Sequence, residues 1–185
     1  MPPLSSSPIY FGKFIVTPAV FHLTPLSMAF VNLKPLLPGH VLISPRRIVP
    51  KLADLTSDEV TDLFTTVQRV SRTIERVYGA KASNIAMQDG TDAGQSVPHV
   101  HVHIIPRKPQ DLDDRGGQDA IYPMLEGEEG DVGKHLSERD HGRPKFPKVD
   151  EASRKPRSEK EMQEEAEQLH TELESDRISD AGANL

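Results

Sequence analysis

The segment from Pro98 to Pro106 alternates histidine with valine or isoleucine, and it constrains the fold more than any other stretch of the chain. Because successive side chains of a β-strand point to opposite faces, a strand here places His99, His101 and His103 on one face. The aliphatic side chains lie on the other face and are expected to pack inward. Each histidine has two ring nitrogens to satisfy, so three on one face indicate a functional site rather than a sheet surface. His40 offers a fourth imidazole for that site.

Short runs of β-branched, aromatic and aliphatic residues predict further strands in the first part of the chain. Each run is bounded by Pro, Gly or Asn, and the predicted strands are Tyr10–Val16, Met28–Leu33, His40–Ser44 and Asn84–Gln88. The loop of residues 33–39, which contains two prolines, predicts a hairpin-like pair between the second and third of them. Together with the histidine segment, these runs predict a sheet.

Two capping boxes predict helices. The first, at residues 56–59, begins a long helix that Gly79 ends. The apolar stripe of this helix is formed by Val60, Leu63, Phe64, Val67, Val70, Ile74 and Val77. The second capping box, from Ser158 to Glu161, begins a C-terminal helix whose narrow apolar stripe is formed by Met162, Ala166, Leu169 and Leu173. The narrow stripe on a charged helix indicates that this helix docks on another surface.

The distribution of charge divides the chain near Arg107. Residues 1–107 carry 10 basic and 7 acidic side chains, whereas residues 108–185 carry 12 basic and 21 acidic ones. Of the nine aromatic residues only Tyr122 and Phe146 follow Arg107, which leaves the second part little with which to build its own core. The predicted organisation is therefore a folded domain over residues 1–108, a flexible acidic segment over 109–157, and a C-terminal helix with its tail over 158–185.

Composition excludes several classes of chemistry and of partner. The chain has no cysteine, which excludes disulfides, thiol nucleophiles and cysteine zinc sites. No apolar run approaches the ~20 residues that a membrane span needs, and the start of the chain lacks the pattern of a signal peptide. The mild positive balance of residues 1–107 suits an anionic substrate but is too small for a nucleic-acid footprint. We expect a cytoplasmic protein, with the nucleus as a second compartment, that binds neither membrane nor nucleic acid.

Two chemistries stay open for the histidines. As metal ligands, His99 and His103 would lie about 6.6 Å apart along the strand, and no carboxylate is adjacent to them. In a nucleophilic site, one imidazole nitrogen attacks while its other nitrogen is held by an oxygen acceptor. The preceding stretch from Gln88 to Ser96 has two amides, a hydroxyl and glycines that allow backbone N–H groups to approach an anion. Such a loop suits phosphate and favours the nucleophile.

The pattern His-x-His-x-His followed by apolar residues resembles the histidine triad superfamily of nucleotide hydrolases and transferases. Further segments resemble its fragile histidine triad branch, namely Phe11–Gly12, Val31–Pro35, Pro38–Leu42, Met87–Gly90, Ala93–Gln95 and Pro106–Lys108. The sister branch, which cleaves nucleoside phosphoramidates, typically has paired glycines in place of the last of these segments. The resemblance is dense over residues 9–108 and patchy beyond them. It implies an α+β, HIT-like fold in which one long helix packs an antiparallel sheet, with a C-terminal helix after a flexible acidic segment.

The resemblance also implies an activity, the hydrolysis of diadenosine triphosphate to AMP and ADP by a homodimer. His101, the central histidine, would attack the α-phosphorus and form a nucleotidyl-histidine intermediate. The residues implied to orient it and to meet the phosphate oxygens are His40, His99 and His103. Asn32 would hold the ribose, the phosphates would be lined by Gln88, Gly94, Gln95, Ser96 and Val97, and the adenine pocket would be formed by Leu42, Phe11 and Phe30. Neither a tightly bound cofactor nor a protein-bound metal is expected, and Mg²⁺ or Mn²⁺ would accompany the substrate phosphates.

Two other functions stay open for such a chain. One is a signalling module, in which the bound dinucleotide is presented to a protein partner together with the acidic tail. The other is the nucleoside phosphoramidase activity of the sister branch. Tyr122 matches a family position associated with phosphorylation, although an exposed loop tyrosine is ordinarily only solvated.

Overall fold

A five-stranded antiparallel sheet carries the histidine segment in the computed structural model, which describes residues 4–127, 131–141 and 157–182. Two short strands before it, β1 (Tyr10–Phe11) and β2 (Phe14–Ile15), form a separate hairpin. The strands of the main sheet are β3 (Val20–Leu23), β4 (Ser27–Val31), β5 (Val41–Pro45), β6 (Ala82–Ala86) and β7 (Val102–Arg107). Their order is β3-β4-β5-β7-β6, and every neighbouring pair is antiparallel. The predicted hairpin-like pair is β4 with β5.

The N-terminal run predicted as one strand over Tyr10–Val16 is instead a tight hairpin. Gly12 turns the chain with a φ of +56°, and a Cβ added there would lie 2.7 Å from Cγ1 of Val97. Only glycine fits this turn without strain, so the run cannot continue as a single extended strand. The sequence patterns do not predict strand β3, because its four residues lie between Pro18 and Pro25 and include a histidine.

The long helix predicted from its capping box is α1 (Ser57–Tyr78). Both hydrogen bonds of the box are present, because the Thr56 side chain accepts from the Glu59 N–H and the Glu59 side chain accepts from the Thr56 N–H. Gly79 ends the helix in the left-handed conformation. One member of the predicted stripe, Phe64, is 43% exposed, so the buried face of the helix is narrower than the stripe suggested.

The predicted C-terminal helix is α4 (Glu159–Gly182), preceded by the capping box of Ser158 and Glu161. All four residues of its predicted stripe are buried, namely Met162, Ala166, Leu169 and Leu173. They belong to the same hydrophobic core as the sheet and α1. The surface on which α4 docks is therefore the domain of residues 1–108 itself. No helix within the described ranges is long and apolar enough to cross a membrane.

The acidic segment 109–157, predicted to be flexible, is helical in part. It contains α2 (Ile121–Glu126) and α3 (Val132–His141), while residues 128–130 and 142–156, with Phe146, lie outside the described residues. Tyr122, predicted to lie in a loop, is on α2 and is 56% exposed. The acidic composition averages over the whole segment and therefore conceals these two helices.

A single apolar pair explains why α3 packs on the domain. Val132 and Leu136 are four residues apart, so one helical turn places both on the same face. Both are buried and belong to the main hydrophobic core. The described residues of all three predicted segments therefore contribute to one core.

Candidate active site

The three histidines of the triad are buried where β7 begins. His103 lies on β7, whereas His99 and His101 lie in the segment that leads into it. The exposed fractions of His99, His101 and His103 are 0%, 1% and 0%. The intervening Val100 and Val102 are each 1% exposed. The aliphatic face is thus buried as predicted, and the histidine face is buried as well.

One backbone hydrogen bond sets the protonation pattern of His101. Its Nδ1 lies 2.8 Å from the carbonyl oxygen of His99, and a carbonyl can only accept, so Nδ1 carries the proton. The lone pair of this imidazole is therefore on Nε2. Burial lowers the pKa of His101, against the smaller opposing effect of that hydrogen bond. The ring is neutral at neutral pH, and Nε2 has the electronic character of a nucleophile.

A chain of hydrogen bonds leaves His103 with a buried proton donor. The backbone N–H of Leu36 donates to Nδ1 of His40 over 3.1 Å, so the proton of His40 is on Nε2. This Nε2 lies 2.9 Å from Nδ1 of His103 and donates to it, which leaves the proton of His103 on Nε2. That atom is buried and has no hydrogen-bond partner among the described residues.

The Nε2–H donor of His103 lies next to the ring of His101. Burial, followed by the nearby His101 and His40, lowers the pKa of His103 well below its ordinary value, so the ring is neutral. The ring centroids of His101 and His103 lie 5.1 Å apart. A buried donor without a partner is costly to the folded state, and one beside a nucleophilic nitrogen suits an oxygen on which negative charge develops.

His99 is bound to the backbone through both ring nitrogens. Nδ1 accepts a 3.0 Å hydrogen bond from the N–H of Gly12, and Nε2 donates to the carbonyl oxygens of Pro45 and Arg47 at 2.9 and 3.1 Å. Burial lowers the pKa of His99 to about 4. Both ring nitrogens of His99 are therefore engaged by backbone groups, and the carbonyl oxygen of His99 holds the ring of His101.

The same bonds bear on the metal alternative. A metal ion held jointly by the three histidines of the triad would require His99 to give up a backbone hydrogen bond on at least one ring nitrogen. Within the described ranges, no group of three or more His, Asp or Glu side chains is arranged to hold a metal ion. The hydrogen-bond pattern instead matches the nucleophile alternative, since an oxygen acceptor holds one nitrogen of His101.

Phe11 packs against the imidazoles. Its ring stacks on His99 with the centroids 5.4 Å apart, and it meets His101 edge-on at 5.1 Å. It also lies 5.1 Å from the ring of Phe30 and is fully buried. Phe11, which the resemblance assigned to the adenine pocket, thus limits the rotation of the two histidines.

The loop predicted to line the phosphates is held by hydrogen bonds to other segments. Nε2 of Gln88 donates to the carbonyl oxygen of Leu125 over 3.4 Å, and Nε2 of Gln95 donates to that of Pro50 over 2.8 Å. Gly94 has a φ of +87°, and a Cβ added there would lie 2.8 Å from Nε2 of Gln88. Glycine is therefore required beside this amide. The loop places both amides, and each donates one hydrogen bond to the protein.

Asn32 lies beside the His40–His103 pair. It follows β4 and is 3% exposed. Its Oδ1 accepts a 3.0 Å hydrogen bond from the N–H of Lys34, and its Nδ2 lies 3.5 Å from Nε2 of His40. Its backbone carbonyl oxygen accepts from the guanidinium of Arg157, a contact that no local sequence pattern indicates.

Helix α3 covers the residues implied to bind the nucleoside. A cavity of about 10 Å³ is lined by Phe30, Asn32 and Leu42, and also by Val132 and Leu136 of α3. This is room for roughly one water molecule. A nucleoside therefore reaches these three residues only if part of this lining moves, and α3 contributes side chains to that lining, Val132 and Leu136 among them. The four-residue spacing of Val132 and Leu136 is the sequence signal for this cover.

A hydrogen bond joins α3 to the phosphate loop. The Oγ of Ser96 accepts from the N–H of Gly133 over 3.0 Å. Ser96 is exposed, whereas the next residue, Val97, is 1% exposed and lies in the core. Arg139 of α3 also donates to the carbonyl oxygen of Ile15 over 3.0 Å. The helix thus contacts this loop, the small cavity beside Asn32 and the N-terminal hairpin together.

This geometry, a histidine triad with one free imidazole lone pair and one free imidazole proton, can be compared with known proteins. Residues 16–110 match the HIT domain family. The chain belongs to this family. The HIT protein is 51% identical over 172 residues to the asymmetrical bis(5'-nucleosyl)-tetraphosphatase of Schizosaccharomyces pombe, an alignment that covers 87% of this chain and 92% of the relative.

Two further proteins support the placement of this HIT protein. It is 40% identical over 169 residues to the bis(5'-adenosyl)-triphosphatase of Dictyostelium discoideum, with coverage of 91% of this chain and 95% of the relative. Its fold is similar to that of Plasmodium falciparum diadenosine triphosphate hydrolase in complex with cyclomarin A, with a TM-score of 0.67 and 28% identity over 92% of this chain and 87% of that one. The resemblance to the fragile histidine triad branch and the predicted α+β, HIT-like fold are thereby confirmed.

Proposed function

We propose that this protein hydrolyses diadenosine triphosphate to AMP and ADP, with His101 as the nucleophile. The observation that carries the proposal is a pair of neutral, buried imidazoles with complementary protonation. His101 has its lone pair on Nε2 and His103 has its proton on Nε2, with the ring centroids 5.1 Å apart. The relatives named as dinucleoside triphosphatase and tetraphosphatase support the same reaction class.

In the first step, Nε2 of His101 forms a bond to the α-phosphorus, and the bond from that phosphorus to the bridging oxygen breaks. The electron pair of that bond leaves with ADP. Because Nδ1 keeps its proton, His101 becomes a substituted imidazolium, and the carbonyl oxygen of His99 stabilises this charge through the 2.8 Å hydrogen bond. The Nε2–H of His103 donates to a phosphate oxygen on which negative charge develops.

In the second step, water attacks the same phosphorus and the nitrogen–phosphorus bond breaks. The electron pair of that bond returns to Nε2 of His101, AMP leaves with the oxygen of the water, and the proton lost by the water leaves with the products. His101 regains its starting protonation. His103 remains a neutral donor throughout, which agrees with a pKa lowered by burial.

The proposal includes a placement of the substrate. The phosphates lie between the triad and the loop of Gln88 and Gln95, and the amide of Asn32 contacts the ribose. The adenine packs against Phe30 and Leu42 once α3 has moved away, because the cavity present there now is about 10 Å³. Mg²⁺ or Mn²⁺ accompanies the phosphates as part of the substrate and neutralises charge that the side chains do not.

Asymmetrical cleavage of diadenosine tetraphosphate is a second candidate, because the relative that is 51% identical carries that name. The same attack on the α-phosphorus would release ATP in place of ADP. The two substrates differ in the leaving group, so the roles of His101 and His103 are common to both. The ratio of kcat/KM for the two dinucleotides therefore decides between them.

The active form is proposed to be a homodimer in the cytoplasm, as the resemblance to the fragile histidine triad branch implies. Light scattering of the purified chain checks the dimer, and twice the mass of one chain is expected. A mass equal to one chain at the concentrations used for turnover would contradict it.

Activity with and without added Mg²⁺, after chelation, checks the role of the cation.

Product analysis tests the proposed reaction. The protein and its His101→Asn variant are incubated separately with diadenosine triphosphate, diadenosine tetraphosphate and adenosine phosphoramidate, and the nucleotides are resolved by chromatography. Equimolar AMP and ADP from the triphosphate, absent with the variant, is the expected result. AMP and ATP at a much higher kcat/KM from the tetraphosphate would favour the second candidate.

Other outcomes would reassign the site. Cleavage of the phosphoramidate alone would place the activity with the sister branch. Cleavage of none of the three would leave the signalling module, in which a protein partner recognises the dinucleotide complex through residues 109–157.

A further inference from the structure

Arg157, which precedes α4, donates hydrogen bonds to the backbone beside the active site. The N–H of Arg157 donates to the carbonyl oxygen of Leu33 over 3.1 Å. The guanidinium donates to the carbonyl oxygen of Asn32, from Nε over 3.1 Å and also from Nη2. Two donors of a planar group on one carbonyl oxygen fix its position more closely than one donor does. Arg157 thus holds two successive peptide units at the end of β4.

The guanidinium is itself held by two elements of the fold. Its Nη1 forms an ion pair with Glu165 of α4, and Glu165 also accepts a hydrogen bond from the hydroxyl of Tyr78 at the end of α1. The side chains of Arg157 and Glu165 are 19% and 15% exposed. Burial, assisted by Glu165, raises the pKa of Tyr78, so the hydroxyl keeps its proton and remains a donor. The hydrogen bonds of Arg157 to Asn32 are therefore supported by both long helices, α1 and α4.

Asn32 connects Arg157 to the active site. Its side chain is nearly fully buried, its Oδ1 is fixed by the N–H of Lys34, and its Nδ2 lies 3.5 Å from Nε2 of His40. Because the side chain is bonded to the backbone two residues on, a shift of the Asn32 peptide moves the amide with it. An amide that contacts the ribose loses binding energy when it is displaced by a fraction of an ångström.

The docking of α4 on the domain does not depend on Arg157 alone. The helix also buries the apolar stripe of Met162, Ala166, Leu169 and Leu173. At its other end, Arg76 of α1 forms ion pairs with Glu172 and Asp176, and Thr73 donates to Asp176. These contacts are far along the helix from Arg157 and hold it to α1 independently.

We infer that Arg157 is a positioning residue for substrate binding: it sets the place of Asn32 and so links the C-terminal helix to the affinity of the site for the nucleoside. The inference rests on the proposed function, in which Asn32 contacts the ribose. It assigns the C-terminal segment a part in substrate binding beyond stability, since the residue that aligns a substrate contact leads into α4. Arg157 itself does not touch the substrate.

A double-mutant cycle tests the inference with diadenosine triphosphate as the substrate. Arg157→Met keeps the aliphatic stem and removes the guanidinium. Because hydrogen bonds to charged groups contribute substantially, we expect KM to rise about tenfold, with kcat within about threefold of the wild type. In the Asn32→Ala background the same change is expected to alter KM less than about twofold, because the group that Arg157 positions is then absent.

Matched variants separate positioning from helix docking. Arg76→Met weakens the packing of α4 on α1 without contact to Asn32, and it is expected to leave KM within about twofold of the wild type even where it lowers Tm equally. Arg157→Lys keeps the charge but not the planar pair of donors, so an intermediate KM is expected. If Arg157→Met does not fold, Glu165→Gln, which loosens the guanidinium from α4, takes its place in the cycle.

The outcomes distinguish the two proposals. An equal rise of KM in the wild-type and Asn32→Ala backgrounds, or a KM unchanged by Arg157→Met, would overturn the positioning role while leaving the hydrolase intact. A rise of KM in Arg76→Met that matches its loss of Tm would likewise show that only helix docking matters. If the wild type releases no AMP from the dinucleotide, the proposed function itself fails, whatever the variants do.

Discussion

The carbonyl oxygen of His99 accepts a 2.8 Å hydrogen bond from Nδ1 of His101. This contact between residues two apart orients the ring of His101, fixes its tautomer and provides a partner for positive charge during the reaction. Both ring nitrogens of His99 are themselves bonded to the backbone, which holds this residue in place. The backbone therefore leaves the lone pair of the central histidine on Nε2, as its proposed role as nucleophile requires.

Removing the proton donor of His103 is expected to lower kcat with little change in KM. His103→Leu has no side-chain donor, and the loss of one such donor typically costs about 10²–10³ in kcat. His103→Asn keeps an amide donor near the same place, so a smaller loss is expected. Steady-state kinetics with diadenosine triphosphate measure both. Equal losses in the two variants would show that His103 does not act as a donor.

Acid is expected to destabilise the protein before its carboxylates titrate. Burial lowers the pKa of both His22 and His99 to about 4. Between the ordinary histidine pKa of about 6.5 and that value, the unfolded chain binds protons that the folded chain does not, so the free energy of unfolding falls as the pH falls. The expected loss is about 3 kcal/mol for each histidine across this window.

Urea unfolding at several pH values between about 7.5 and 4.5 measures this loss. His22→Leu is the matched variant, because His22 lies outside the site on β3 and its burial is the main cause of its lowered pKa. We expect this variant to lose stability with acid less steeply than the wild type, at unchanged turnover. A slope identical to that of the wild type would contradict the assignment of His22.

Loosening α3 is expected to favour substrate binding. Leu136 is 4% exposed and lines the small cavity with Phe30 and Leu42. Leu136→Ala removes buried contacts that hold α3 over the nucleoside pocket, at a typical cost of about 2–5 kcal/mol to that contact. Because a nucleoside must displace α3 in the proposed complex, KM is expected to fall. The fall is about tenfold for each 1.4 kcal/mol by which the packing of α3 on the domain is weakened.

Met124→Ala is the matched control for this prediction. Met124 is a partly buried residue of α2 that packs against the smaller hydrophobic cluster containing Leu112 and Ile121, and it does not line that cavity. It is expected to leave KM unchanged. A rise of KM in Leu136→Ala would mean that α3 forms part of the bound site rather than its cover.

The sequence was sufficient for features that depend on neighbouring residues. The alternation of residues 99–103 predicts a strand, which is wrong for His99 and His101 because β7 begins at Val102, although the three histidines are buried together. Two capping boxes predict where α1 and α4 begin. Each of these signals spans only a few residues, and each is set by backbone geometry. His40, offered by the sequence as a fourth imidazole for the site, lies with its Nε2 2.9 Å from Nδ1 of His103.

Features that depend on distant contacts were beyond local patterns. The acceptors of His99 are the carbonyl oxygens of Pro45 and Arg47, and no spacing within the triad indicates them. The same holds for Arg157, which contacts Asn32 across 125 positions of the chain. The cover by α3 depends on two buried residues in a segment whose average composition is acidic. Burial of such a pair is decided by the shape of the surface it meets.

The central claim is that Nε2 of His101 becomes covalently bound to the α-phosphorus. Rapid quench of the protein with diadenosine triphosphate in alkaline denaturant, which preserves a histidine nitrogen–phosphorus bond, followed by intact-mass and peptide mass spectrometry at non-acidic pH, tests it most directly. We predict a transient species heavier than the protein by one adenylyl group, located on the peptide that contains His101 and absent in His101→Asn. Turnover to AMP and ADP without that species, or with the adenylyl group on another residue, would contradict the account.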